Sequence, residues 1–158
     1  MKLKLLLEEK TIESIYHSGD EDFDALVKKD KEGEWIYAAG EDWKVFDYKK
    51  GLDALIKKDK EGEWIYHSGK HWKIFDYKKG LDTLIKIDKT GRLIYYAGKH
   101  WKKFDYEKGL EALKEIKDKE YYKFALEEWP QGIQVSQAKS KEIKNTAKKM
   151  KPSKKLRL

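Results

Sequence analysis

The chain has 158 residues, a formal net charge of +7, 41% charged residues and 13% aromatic residues. Disordered polyelectrolytes are poor in aromatic residues, so this composition excludes a wholly disordered chain and indicates a core that contains many rings. The absence of cysteine excludes disulfides, thiolate metal sites and cysteine nucleophiles.

The N-terminal region has an apolar run of only three residues, at 5–7, followed by two acids. This run is too short for the apolar core of a signal peptide, and far shorter than the roughly 20 residues that span a bilayer. We therefore expect a cytoplasmic protein with no membrane partner.

A 29-residue period organises most of the chain. Residues 31–59 recur as residues 60–88 with 22 of 29 positions identical. The successive units are 11–30 (shortened by about eight residues), 31–59, 60–88, 89–117 and 118–133 (a capping half-unit). Edited end units are what a repeat array needs to close its open ends. The period predicts one helical repeat domain over 1–133, followed by a tail over 134–158.

The second half of each unit predicts a helix, which we name the A helix. Its apolar residues have the spacing of one helix face: Tyr48, Leu52, Leu55 and Ile56. Asp47 precedes them, where its carboxylate can cap the first free N–H groups, and Phe46 can act as a hydrophobic staple. Gly51 costs about 1 kcal/mol relative to alanine inside a helix. We expect this glycine to let a neighbouring helix approach closely.

The first half of each unit allows two interpretations. Residues 64–66 and 72–74 could form a β-hairpin with a glycine turn. In the last unit, however, Leu126 replaces that glycine within a helix-forming string that ends at Pro130. Ile36, Ala39 and Trp43 also have helical spacing. We therefore predict a second helix in each unit, the B helix.

Alternating A and B helices predict an all-α fold, an α-solenoid of stacked short antiparallel helix pairs with a flexible basic C-terminal tail. The repeated pattern Trp-Ile-Tyr-x-Ala-Gly-x-x-Trp-x-x-Phe-Asp-Tyr-x-Lys-Gly-Leu resembles helical repeat proteins such as tetratricopeptide and Sel1-like arrays in its architecture. It is also similar to short helical repeats of phage-encoded and bacterial proteins. The resemblance covers residues 11–133. It implies a helical solenoid, in the host cytoplasm if the chain is phage-encoded, and no particular activity.

The ionisable residues do not predict catalysis or a cofactor. The chain has four histidines: His17, His67, His71 and His100. His67 and His71 are four residues apart and could share a metal, but their equivalents in the preceding unit are Ala38 and Asp42, which favours a solvent-facing pair. Catalysis needs unlike groups that converge on a point, whereas repeats distribute like groups along a line. The tryptophans could stack on bases or sugars. However, they recur in phase with the apolar helix face, which favours the interpretation that they form the core between units.

The leading functional hypothesis is non-catalytic binding of another protein, or of further copies of this chain. Positions that vary while the framework stays constant are where a repeat array tunes a partner surface, although drift without selection would give the same pattern. The predicted partner-binding residues are Glu41, Asp42, His67, Lys70, His71, Tyr96, Lys99 and His100. The same reasoning includes their smaller neighbours, Ala38, Ala39, Ser68 and Ala97.

The C-terminal tail supports a second hypothesis. Residues 131–158 carry nine Lys or Arg and one Glu, whereas residues 1–130 carry 27 bases and 28 acids. A polar helix is predicted over 131–150, and the end of the chain, from residue 148, is predicted to be disordered. Its bases could bind nucleic-acid phosphates or an acidic protein, or could only improve solubility. These bases are Lys148, Lys149, Lys151, Lys154, Lys155 and Arg157.

A third hypothesis, based on the hairpin interpretation, is an aromatic β-hairpin array like the choline-binding repeats of cell-wall proteins.

Overall fold

The computed structural model describes residues 10–19, 22–129 and 132–149, with side chains omitted for 132–140. Within these ranges the chain forms ten helices and no strand. The helices are α1 (Ile12–Ser18), α2 (Phe23–Lys29), α3 (Glu34–Asp42), α4 (Tyr48–Lys58), α5 (Glu63–His71), α6 (Tyr77–Ile87), α7 (Arg92–His100), α8 (Tyr106–Glu115), α9 (Glu120–Glu128) and α10 (Gly132–Lys149). The predicted all-α fold is confirmed, and the β-hairpin interpretation of residues 64–74 is wrong because α5 runs through the glycine at position 69.

The helices stack in two rows. The B helices α3, α5, α7 and α9 pack against one another in sequence, and each also packs against a neighbouring A helix. Helix α1 pairs with α2 at the N-terminal end, and α10 packs on α8 and α9 at the other end. The result is a solenoid-like stack with one continuous core through its complete units.

Each complete A helix starts at the predicted aspartate cap. The Asp47 carboxylate accepts a hydrogen bond from the backbone N–H of Lys50 at 3.0 Å, and Asp76 and Asp105 do the same in the next units. These contacts satisfy one of the free donors at each helix start. Phe46 lies directly outside the cap, as expected of a staple, and its ring covers Gly51.

The glycines inside the A helices make room for aromatic side chains and not for the backbone of a neighbouring helix. A Cβ at Gly51 would lie 2.5 Å from the Phe46 ring and 3.2 Å from the Trp72 ring. Gly80 and Gly109 have the same surroundings in the following units. The expectation that a helix backbone approaches there is therefore corrected, because two aromatic side chains fill the space.

Each complete B helix starts at a buried aspartate from the preceding A helix. The Asp59 carboxylate is only 4% exposed and accepts hydrogen bonds from the N–H groups of Gly62 at 2.7 Å and Ile65 at 2.9 Å. Gly62 has a φ of +84°, in the left-handed region, where a residue with a side chain would be strained. Burial raises the pKa of Asp59, while the backbone donors act to lower it. Asp30 and Asp88 repeat this arrangement.

Candidate partner-binding surface

A tryptophan joint connects each pair of successive B helices. At the third joint, the Trp101 indole N–H donates a hydrogen bond to the backbone carbonyl of Tyr66 at 2.9 Å, and its ring lies on Gly69. A Cβ on Gly69 would lie 2.4 Å from that ring, so only glycine fits. The four joints are Trp43 to Tyr16 (3.1 Å), Trp72 to Tyr37 (3.0 Å), Trp101 to Tyr66 (2.9 Å) and Trp129 to Tyr95 (3.2 Å).

Two rings of the preceding unit cover the tryptophan at each complete joint. Phe75 and Tyr77 lie 5.2 and 5.8 Å from Trp101, both inclined steeply to the indole. Edge-to-face pairs of this kind add to the stability that burial supplies. Trp72, Trp101 and Trp129 are accordingly 1%, 6% and 0% exposed, which confirms the interpretation that these tryptophans form the core between units. Trp35, Trp43 and Trp64 are half-buried.

The last unit differs from the others at two positions of the joint. Leu126 occupies the place of Gly40, Gly69 and Gly98, so a side chain fills the space where a further tryptophan would pack. Lys123 occupies the place of the joint tyrosine. The capping role of this half-unit stays a prediction, and Leu126 supplies a steric reason for it.

The predicted surface positions divide into exposed and buried groups. Glu41, Asp42, Lys70, His71, Lys99 and His100 are exposed, and His67 and Tyr96 are half-buried. In contrast, Ala39, Ser68 and Ala97 are fully buried, which corrects their assignment to a partner surface. The Ser68 hydroxyl has no hydrogen-bond partner within the described structure.

Three of the variable positions contact the tyrosine of the preceding unit. The Tyr66 hydroxyl lies 2.6 Å from His100 Nδ1, and Tyr16 donates a hydrogen bond to the carboxylate of Asp42. Burial, together with this carboxylate, raises the pKa of Tyr16 to about 12. His71 takes the equivalent place beside Tyr37, with the ring centres 6.4 Å apart. Sequence variation at these positions therefore also adjusts the fit between adjacent units.

Ion pairs between units involve further variable positions. His71 Nδ1 lies 3.8 Å from the carboxylate of Glu41, and Lys99 pairs with Glu128 at 2.6 Å. In the described part of the chain, Lys70 has no ion pair. Of these exposed bases, Lys70 is thus the one whose charge no neighbouring unit neutralises.

The histidines form a partly enclosed aromatic group on the B row. The rings of His67 and His71 stack with their centres 6.1 Å apart, and His67 also lies beside Tyr37 and Trp64. Burial lowers the pKa of His67, with further lowering by His71 and Lys70. Burial also lowers the pKa of His100, which stacks on Tyr96 at 5.8 Å. Among the described residues, no group of three or more His, Asp or Glu is placed to hold a metal ion.

The basic tail is described only in part. Lys148 and Lys149 lie in the last turn of α10, so the expectation of disorder from residue 148 is corrected for these two residues. Lys151, Lys154, Lys155 and Arg157 lie outside the described residues. Lys141, Lys144 and Lys148 are exposed and have the spacing of one helix face.

No family model, curated protein or solved structure matches the chain. The resemblance to helical repeat proteins therefore depends on the repeat pattern and the helical architecture. None of the described helices has both the length and the apolar character needed to cross a membrane.

Two structural features were missed in the sequence. No role was predicted for the buried aspartates at positions 30, 59 and 88, although their recurrence three residues before a glycine was a usable signal. The hydrogen bond from each tryptophan to a tyrosine carbonyl gave no sequence signal, because a backbone acceptor can belong to any residue.

Proposed function

We propose that this chain is a non-catalytic helical repeat protein that binds another protein through the exposed side of its B row. The observation that carries the proposal is a change of charge on a constant framework. Helix α3 ends in Glu41 and Asp42, whereas α5 presents Lys70 and His71 at the same places. The tryptophan joints at Trp72, Trp101 and Trp129 meanwhile keep the same glycine, the same carbonyl acceptor and the same two covering rings.

The centre of this surface is Lys70 with Tyr96 and the neighbouring His100. Lys70 is exposed and unpaired, and the stacked rings of Tyr96 and His100 supply an apolar surface with polar edges. A cation beside accessible aromatic rings favours a protein partner with acidic and apolar groups. The cation attracts the acidic groups during association, and the rings provide apolar area that is buried in the complex. We also propose a cytoplasmic location, in the host if the chain is phage-encoded.

Affinity purification from the native source tests this function. We expect the double variant Lys70→Glu/Tyr96→Ala to lose a protein that the unchanged chain retains. A control variant in the loop between α7 and α8, Lys102→Glu/Lys103→Glu, should retain that protein. If every protein retained by the unchanged chain is retained equally by the B-row variant, the proposed surface is wrong.

One observation favours nucleic-acid binding as a second function. Lys141, Lys144 and Lys148 form an exposed stripe on α10, accompanied by a single acid, Glu142. Lysines along one helix face can contact successive phosphates, and such binding weakens steeply as salt rises. This function predicts low-salt binding that disappears when residues 139–158 are removed. Binding that persists after the truncation would exclude α10 as its source.

A further inference from the structure

The groove at the first joint differs from the grooves farther along the stack. It lies between α2 and the start of α4 and has a cavity volume of about 230 Å³. Its walls include Phe23, Asp24, Trp43, Val45, Phe46 and Lys50. Val45 is 67% exposed at this groove.

A complete joint shows what the first groove lacks. The equivalent groove of the third joint is lined by Tyr77, Leu81 and Phe104, whereas Trp101 does not reach its surface. Trp101 is covered there by Phe75 and Tyr77, which belong to the Phe-Asp-Tyr segment of the preceding unit. The shortened first unit has no such segment.

The missing segment leaves Trp43 accessible. Phe23 stands where the later units have a leucine, and its ring lies 6.4 Å from Trp43 and 5.7 Å from Phe46, edge-on to both. Tyr16 and Phe46 also lie beside Trp43, at 6.3 and 6.2 Å. These rings leave Trp43 half-buried, and its indole forms part of the groove wall. At this groove the joint tryptophan is present, but the phenylalanine and tyrosine that cover it at the later joints are absent.

The groove also lacks the ion pair that the later joints have. At the later joints an ion pair crosses the groove, between Asp53 and Lys79 and between Asp82 and Lys108. The equivalent residues at the first joint, Asp24 and Lys50, are both exposed and form no ion pair within the described structure. A ligand in this groove would meet apolar rings flanked by the carboxylates of Asp24 and Asp47 and by the ammonium group of Lys50.

We propose that this groove binds a peptide segment of a partner protein that carries a Phe-x-Tyr pair flanked by charged residues. The two aromatic side chains take the places that Phe75 and Tyr77 occupy around Trp101. The ligand thereby continues the ring packing of the later joints, in which Trp72, Trp101 and Trp129 are each enclosed by a phenylalanine and a tyrosine. Charged residues beside the pair match the free Asp24 and Lys50. Apolar burial and edge-on ring contacts supply the affinity. This surface is separate from the B-row surface proposed above.

Nuclear magnetic resonance of the full chain tests the proposal. The probe is the capped peptide Lys-Ile-Phe-Asp-Tyr-Lys-Lys, which has the sequence of residues 73–79. We expect it to shift the indole N–H resonance of Trp43 while those of Trp72 and Trp101 stay unchanged. A peptide with alanine in place of both aromatic residues should bind at least tenfold more weakly. No shift at Trp43, or equal binding of the two peptides, overturns the proposal.

Two matched variants locate the binding. Val45→Lys should weaken binding of the probe at least tenfold, and the unit 89–117 already carries a lysine there, Lys103, so the fold accepts this residue. Ile74→Lys makes the same change at the second joint, where Ile74 is also 67% exposed, and should leave binding unchanged. Equal effects of the two substitutions would contradict binding at the first groove.

A deletion distinguishes a partner from the chain's own N-terminus. We expect a variant without residues 2–9 to bind the probe within twofold of the full chain. If the deletion tightens binding tenfold or more, the groove's occupant is residues 2–9 and the partner proposal is overturned. The B-row variant Lys70→Glu/Tyr96→Ala should bind the probe normally, so either proposal can fail without the other.

Discussion

The indole nitrogen of Trp101 donates a hydrogen bond to the carbonyl oxygen of Tyr66 while the indole ring lies flat against the space left by Gly69. This hydrogen bond satisfies the indole N–H, which is the one polar group of a tryptophan side chain that is only 6% exposed. One residue thereby supplies both the apolar packing and the polar contact between two units. The same relationship recurs at the second and fourth joints, where Trp72 and Trp129 lie on Gly40 and Gly98. At the first joint Trp43 keeps the hydrogen bond, but a Cβ on Gly19 would meet no described atom within 4 Å.

Substitution of Gly69 by alanine should destabilise the fold by about 1–3 kcal/mol, because the new methyl group would overlap the Trp101 ring. This cost exceeds the roughly 1 kcal/mol that alanine gains over glycine inside a helix. Urea denaturation followed by circular dichroism measures the change. In combination with Trp101→Leu, the added cost of Gly69→Ala should fall by about 1 kcal/mol or more, because the overlap is removed. Additive effects of the two substitutions would contradict the steric explanation.

Substitution of Ser68 by alanine should stabilise the chain by about 1 kcal/mol. The Ser68 hydroxyl is buried without a hydrogen-bond partner in the described structure, and burial of such a group is costly. Alanine occupies the equivalent positions 39, 97 and 125, all of them fully buried. The midpoint of urea denaturation should rise for Ser68→Ala and fall for the reverse change, Ala97→Ser. A lower midpoint for Ser68→Ala would show that the hydroxyl has a partner.

Removal of the Asp59 carboxylate should cost about 2–3 kcal/mol, because the buried N–H groups of Gly62 and Ile65 lose their acceptor. Asp47→Ala provides the comparison, since that exposed cap should contribute only about 1 kcal/mol. Denaturation of both variants under the same conditions gives the two values. Equal costs would mean that the burial of Asp59 adds nothing to its capping role.

Stability should decrease as the pH falls below about 6.5. The pKa values of His67 and His100 are lowered in the folded chain, first of all by burial, whereas an unfolded histidine takes up its proton near about 6.5. Below that pH the unfolded state therefore binds more protons than the folded state, and the free energy of unfolding falls. Above it both states hold neutral rings, and these groups contribute no pH dependence.

The variant His67→Ala tests this assignment, since Ala38 occupies the equivalent position in the preceding unit. Its stability, measured by denaturation between pH 7.5 and 5.5, should depend less on pH than that of the unchanged chain. If the free energy of unfolding changes with pH equally in the variant and in the unchanged chain, His67 does not contribute to the loss of stability in acid.

An additional unit should be accommodated in the middle of the array. A second copy of residues 60–88 inserted after Asp88 would present Gly69 and Tyr66 to the tryptophan of the next copy, as at the existing joints. We expect a folded chain with a higher denaturation midpoint, because stability in a repeat array grows with the number of interfaces. The same unit inserted after Trp129 should not stack, since Leu126 blocks the joint. Equal stabilisation at both places would contradict the capping role of Leu126.

The candidate surface was predictable only where a side chain's role depends on its own unit. Lys70 and Lys99 are exposed, as their polar character in a variable position suggests. Asp42 and His100 vary as well, but each contacts a tyrosine some 26 to 34 residues earlier in the chain. Such a contact depends on how two units are placed, so a comparison of single positions does not separate partner binding from packing between units.

The sequence by itself determined the period, the two helices of each unit and the aspartate caps of the A helices, because these features depend on residues within one or two helical turns. Only the tertiary structure decided which glycine receives which tryptophan, where the aspartates at 30, 59 and 88 are buried, and why Trp43 alone among the joint tryptophans is half-buried. These outcomes follow from the packing of one unit on the next. A 29-residue period indicates that such packing occurs, and the three-dimensional arrangement specifies the atoms that meet.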